Sequence, residues 1–208
     1  MDPAPRFNIA AKPNAWTRSL NRTARESGPR QLDDRQKAYS EYWSGFSDWL
    51  QDQRTNFQQK TKQPIDYWCS FYFVRKGFLL VTTIKFRDKR LATELYIGHP
   101  SARAAFDLLF AERAGIEGDF GQVLNWQRVV GKKAARIEVV RTDLDPGTET
   151  QRPQQYQWFQ GMLNRFTLAL SQRVKVLQLD KDADLVGAAN EGGDSIPIGE
   201  EPDFLRTS

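Results

Sequence analysis

Apolar residues along this chain recur with two different periods, and the change of period divides it into elements. From Tyr39 through Trp43, Phe46 and Leu50 the steps are four, three and four residues, which is one face of an α-helix. Tyr42 and Trp49 widen that stripe, so the helix packs on something large. Asp33 followed by Gln36 has capping-box spacing, with Asp in place of Ser or Thr. The spacing predicts a helix over 34–54 that runs out by Asn56.

From Tyr67 the texture becomes β. Tyr67–Val74, Phe78–Phe86 and Leu91–Ile97 are rich in aromatic and β-branched residues. Arg75-Lys76-Gly77 and Arg87-Asp88-Lys89-Arg90 separate them, and both are hairpin-length connections. Gly98-His99-Pro100 ends the third strand, and Pro100 suits the first turn of a helix. Phe106, Leu109, Phe110 and Ile116 continue at helical spacing, predicting a helix over 101–117 that Gly115 and Gly118 weaken before Gly121 closes it. Val123–Val130 and Ala134–Arg141 form a second hairpin around Gly131-Lys132-Lys133. After a loop with Asp145-Pro146-Gly147, Pro153 opens a helix over 153–178. Its stripe is Phe159, Leu163, Phe166, Leu170, Val174 and Leu177. The order α-βββ-α-ββ-α predicts an α+β fold, an antiparallel sheet of about five strands packed with three helices.

The flanks differ from this middle. Residues 1–30 hold four prolines and several arginines with few apolar anchors, and are expected to form an extended basic arm with Trp16 as its anchor. Residues 31–178 are expected to form a single α+β domain, and 179–208 a disordered acidic tail. The whole chain of 208 residues carries +4; the tail holds eight acids against two bases, −6, which leaves +10 for residues 1–178. One cysteine excludes an intramolecular disulfide. One histidine excludes zinc fingers, HExxH proteases and two-histidine iron centres. No apolar run approaches the length of a membrane span and no signal-peptide core opens the chain, so a cytoplasmic protein is expected.

The basic turns are the clearest functional signal. Successive hairpin turns lie at opposite ends of a sheet, so Arg75-Lys76 and Arg87–Arg90 do not form one patch. If the 101–120 helix runs back along the sheet, Lys132-Lys133 returns to the Arg75 end. Arg75, Lys76, Lys132 and Lys133 then form a candidate phosphate-binding patch for nucleic acid.

Acidic candidates are fewer. A Mg²⁺-dependent nuclease needs converging carboxylates, and Glu94 with Asp88 or Glu117 is the nearest approach. A PD-(D/E)xK site wants a lysine two residues after its second acid, and Tyr96 stands there. Asp88 sits among bases whose charge it offsets, and alternation leaves Glu94 facing either core or solvent. Glu112, Glu117 and Asp119 read as a solvated helix face. His99 lies at a strand-to-helix junction without a second histidine, and Cys69 reads as a small buried hydrophobe. No cofactor is expected, Mg²⁺ entering only with the nuclease reading.

A family resemblance adds to this. Ala4-Pro-Arg-Phe-Asn-Ile, Lys12-Pro-Asn-Ala-Trp16, Tyr42-Trp43, Glu94-Leu-Tyr-Ile97, Ala105-Phe-Asp-Leu-Leu109, Ile116-Glu117 and Leu124-x-Trp126 occur in this order. Together they resemble a C-terminal domain-of-unknown-function family of bacterial and archaeal proteins. In that family the domain usually follows a region like restriction endonucleases of the PD-(D/E)xK kind, in proteins linked to DNA processing or defence. The resemblance implies that 1–30 corresponds to the linker and that the nuclease-like half is absent here. Glu94, Glu117 and Trp126 fall on recurring family positions without an assigned role. The expectation is a non-catalytic domain associated with nucleic acid, or a partner to a nuclease. The alternatives are a divergent Mg²⁺-dependent nuclease, or a protein-interaction module in which the terminal helix dimerises.

Overall fold

The computed structural model describes residues 32–128 and 134–179. Helix α1 spans Asp34–Asp52. The Asp33 carboxylate accepts from the Gln36 N–H at 2.7 Å, and the Gln36 side chain accepts from the Asp33 N–H at 3.2 Å, closing the capping box. Tyr39, Tyr42, Trp43, Phe46 and Leu50 form its buried stripe. Strands β1 (Trp68–Tyr72), β2 (Phe78–Lys85) and β3 (Arg90–Ile97) follow as an antiparallel meander. Helices α2 (Ala102–Ala111) and α3 (Arg113–Phe120) lead to the hairpin β4 (Asn125–Arg128) and β5 (Ala135–Arg141). A short 3₁₀ turn, Glu149–Gln151, precedes α4 (Arg152–Val176). The five strands are antiparallel throughout, in the order β1-β2-β3-β5-β4. This is the expected α+β architecture.

Two details depart from the expectation. The predicted 101–117 helix is two helices broken at Glu112, where φ is −96° and ψ 12°, so the described residues hold four helices where three were expected. The glycines do not make that break. Gly115 and Gly118 lie inside α3, and Gly121, at φ 85°, ends it by donating to the Glu117 carbonyl at 2.9 Å. The predicted strand 123–130 is described only over Asn125–Arg128. The expected arm, most of the expected acidic tail, and Lys132 and Lys133 lie outside the described residues.

One face of the sheet packs on the helices. Phe71, Leu80, Ile84, Leu91, Leu95 and Ile137 meet Trp43, Phe46, Phe106, Ile116, Phe159 and Phe166 in one apolar core. Burying side chains of this size contributes about 1.5–3 kcal/mol each. Polar tips at the rim of the core are paired. The Trp43 indole donates to the Asp66 carbonyl at 2.8 Å and the Tyr42 hydroxyl to Gln155 Oε1 at 2.8 Å. The sheet's other face carries a second cluster, Trp68, Val81, Tyr96 and Ala134 with Tyr67 and Leu79 against it, and no residue of a described helix belongs to it. No described helix is long and apolar enough to cross a membrane.

Candidate functional site

The second sheet face, with its charged row, is where the structure goes furthest beyond the sequence. Residues alternate across a strand, so Arg90, Glu94 and Tyr96 on β3 point to the same side as Arg136 and Glu138 on β5. The register sets Glu94 directly opposite Glu138, Glu138 opposite Asn125, and Tyr96 opposite Arg136. Two carboxylates therefore sit side by side in a buried position, Glu94 at 1 % and Glu138 at 5 % exposure. Alternation had left the direction of Glu94 open; it points to the face away from the helices and is nevertheless buried there.

The two acids are treated differently. Glu138 accepts from Asn125 Nδ2 at 3.0 Å and Gln127 Nε2 at 2.8 Å on one oxygen, and from Arg90 Nη2 at 2.8 Å on the other. Among the described residues Glu94 pairs with the Arg136 guanidinium alone, at a long 3.7 Å from Oε2, and its Oε1 has no hydrogen-bond partner. Arg136 Nε is likewise unpartnered. Burial pushes the Glu94 carboxyl up to about 7; the nearby Arg136 works against this, Glu138 adds to it and Arg90 opposes it. A carboxyl that titrates there exchanges a proton near neutral pH. At 1 % exposure it does so out of reach of a substrate in solution. Burial likewise raises the Tyr96 hydroxyl.

Glu117 serves a different purpose. Its Oε1 accepts from Arg113 Nε, the Leu124 N–H and the Trp126 indole, all at 3.0 Å. The Leu124 bond first, and then the other two donors, hold this carboxyl below the usual carboxylate range. The indole in turn packs edge-on against Phe106 and Phe110. Glu117 thus ties the end of α3 to the start of β4. This gives a physical reason for Glu117 and Trp126 to accompany one another.

The structure does not bring Glu94, Asp88 and Glu117 together. Glu94 lies on the second sheet face, Glu117 on the helical side, and Asp88 in the β2–β3 turn, 3.8 Å from Lys85. Among the described residues no group of three or more His, Cys, Asp or Glu could hold a metal ion. Glu112 and Asp119, read as a solvated face, both pair with Arg173 of α4, at 3.0 and 2.7 Å. Cys69 is buried, and burial pushes its thiol up to about 12, so it stays protonated. His99 is 2 % exposed and its Nδ1 accepts from the Ser101 N–H at 3.0 Å, a helix-start contact.

Of the basic candidates, Arg75 donates to the Leu177 carbonyl at 2.7 Å, capping the C-terminal end of α4. Lys76 is exposed beside it. Phe78 pairs with Ile97, Ile97 with Ala135, and Ala135 with Arg128, so these four stand in one row across the sheet. The residues that sequence reasoning missed are Arg136, Glu138, Asn125 and Gln127. Their signal was the polar alternation Asn125-x-Gln127 and Arg136-x-Glu138, which by itself reads as a solvent face.

Comparison with curated proteins and with solved structures yields no match. Residues 38–174, from the first turns of α1 to the last turn of α4, match a family model described as a domain of unknown function, DUF4268. The chain, with its five-stranded sheet, its buried Glu94–Glu138 row and its Glu117–Trp126 tie, belongs to the DUF4268 family.

Proposed function

We propose that this chain is a non-catalytic domain associated with nucleic-acid processing, which docks on a phosphate backbone at one end of its sheet and works beside a nuclease or another processing protein. The observation that carries this reading is the strand register. The row Phe78, Ile97, Ala135 and Arg128 sets the 73–77 connection and both strand ends that flank 129–133 at the same end of the sheet. Those two connections hold Arg75 and Lys76, and Lys132 and Lys133, respectively. The +10 of residues 1–178 supports attraction to a polyanion. The scattered positions of Glu94, Asp88 and Glu117 support a domain that holds nucleic acid rather than cutting it.

Binding to fluorescently labelled duplex and single-stranded oligonucleotides tests the reading. Three phosphate contacts give a log–log salt slope of about −2.7 on duplex DNA. Lys132→Glu combined with Lys133→Glu weakens binding while leaving the thermal unfolding midpoint unchanged. With Mg²⁺ or Mn²⁺ the purified chain cleaves no more nucleic acid than its Glu94→Gln variant. Absence of binding at low salt, or cleavage that the Glu94→Gln change removes, overturns the proposal.

A further inference from the structure

We infer that the cavity enclosed by the segment after α1, the end of β1 and α4 binds one unpaired nucleotide, its base among aromatic side chains and its phosphate on Arg54. This rests on the nucleic-acid reading above and adds a second site with a different specificity. The cavity has a volume of about 560 Å³, within the range of roughly 300–1,000 Å³ of small-molecule sites. Phe57 and Phe73 supply ring surface, and Asn56 and Asn164 supply amides. Among the described residues of the lining, Arg54 is the one cation and there is no carboxylate. That combination suits an anion carrying a flat, hydrogen-bonding ring. Aromatic faces stack on any base, amides offer both a donor and an acceptor to a base edge, and a guanidinium forks onto phosphate.

The wall is held in place by main-chain bonds. The Tyr72 N–H donates to the Gln58 carbonyl at 2.9 Å, and the Lys60 N–H to the Ser70 carbonyl at 2.8 Å, so the segment lies along β1 as an added edge. Its position also fits the proposed docking end. Phe73 and Val74 of the lining run directly into Arg75 and Lys76 along the chain.

Arg54 supplies an independent observation. It follows the C-cap of α1, and its N–H donates to the Gln51 carbonyl at 2.9 Å while the Thr55 N–H donates to the Leu50 carbonyl at 3.1 Å. These are the two bonds of a Schellman motif, and Arg54 takes its left-handed position at φ 50°. Glycine adopts that conformation freely, whereas a side chain adopts it against a Cβ clash. The Thr55 hydroxyl adds a bond to the same Leu50 carbonyl at 3.1 Å, and none of these bonds uses the Arg54 side chain. Among the described residues no carboxylate forms an ion pair with it. A cation of the cavity lining is kept where the backbone favours glycine.

Arg54→Gly is therefore a test in which fold and binding move in opposite directions. Binding of the full chain to a short labelled oligothymidylate and to a blunt duplex is measured by fluorescence anisotropy, with free thymidine monophosphate as competitor. Arg54→Gly weakens single-strand binding at least about fivefold, Phe57→Ala does the same, and duplex binding changes less than about twofold. The unfolding midpoint of Arg54→Gly stays level or rises by up to about 4 °C. Competition by the mononucleotide identifies a free nucleotide as an occupant; binding of the oligomer without such competition identifies a nucleotide within a strand. Single-strand affinity that Arg54→Gly leaves unchanged overturns the inference, as does a chain that binds duplex alone. Lys132→Glu with Lys133→Glu separates the two readings: loss of duplex binding in that variant, with single-strand binding still sensitive to Arg54, supports both. A variant with full duplex affinity removes the docking patch and leaves the cavity standing.

Discussion

Replacing Glu94 by Gln makes the protein more stable in alkaline solution while changing little in acid. The acid is buried with one oxygen unpartnered, its neighbour on the facing strand is another acid, and its nearest cation stands 3.7 Å away. Ionising it in that place is costly, which is why its carboxyl moves from an ordinary 4.5 up to about 7. A folded value raised above the unfolded one contributes stability that is fully present below the unfolded value. That contribution is lost as pH rises through the folded value. At about 1.4 kcal/mol per pH unit, the window from 4.5 to about 7 corresponds to a loss of roughly 3 kcal/mol. Gln is neutral throughout and carries no such loss. Urea unfolding followed by tryptophan fluorescence at a series of pH values checks this, the difference between variant and parent isolating the one group. The variant's advantage is close to constant below about pH 4 and grows by roughly 3 kcal/mol by about pH 8. A fixed misfit of the Gln amide shifts the whole curve and leaves its slope intact. Parallel curves for the two proteins would refute the reasoning.

Two further substitutions follow from the packing. Glu117→Ala strips the acceptor from Arg113, the Leu124 N–H and the Trp126 indole together, and costs about 2–4 kcal/mol in urea unfolding. Because this carboxyl is held below its ordinary value, its contribution is present above the unfolded pKa and fades as pH falls through the folded one. The gap between parent and variant therefore narrows in acid. Gly77→Ala places a Cβ 2.9 Å from His99 Cα at a residue with φ +80°. It lowers stability by at least about 1–2 kcal/mol in the same assay, and an unchanged midpoint counts against the described turn.

Local pattern determined most of the architecture. The stripe Tyr39, Trp43, Phe46 and Leu50, with Asp33 and Gln36 ahead of it, could bury its aromatic face only as a helix, and α1 is that helix. The β-branched and aromatic runs on either side of Arg75–Gly77 and Arg87–Arg90 pair in the expected meander, and the stripe from Phe159 to Val174 is one unbroken helix. These features depend on neighbours within about one or two turns, and such neighbours are written in the sequence.

What tertiary structure decided depends on partners far apart in the chain. The apolar spacing from Phe106 to Ile116 continues smoothly across Glu112, so it contains no mark of the break there. Arg173, 61 residues further on, holds Glu112 on one side of it and reaches Asp119 on the other. Glu94 could be assigned a side of its strand but not a covered side, since that depends on β5 setting Glu138 beside it. Glu117 and Trp126 were two separate short signals until the fold joined them by one hydrogen bond. The same holds for the cavity, whose walls come from the end of α1, the end of β1 and the middle of α4. Periodicity records which way each side chain turns relative to its own backbone. Which group it meets there is fixed only when the sheet closes its register and the helices pack across it.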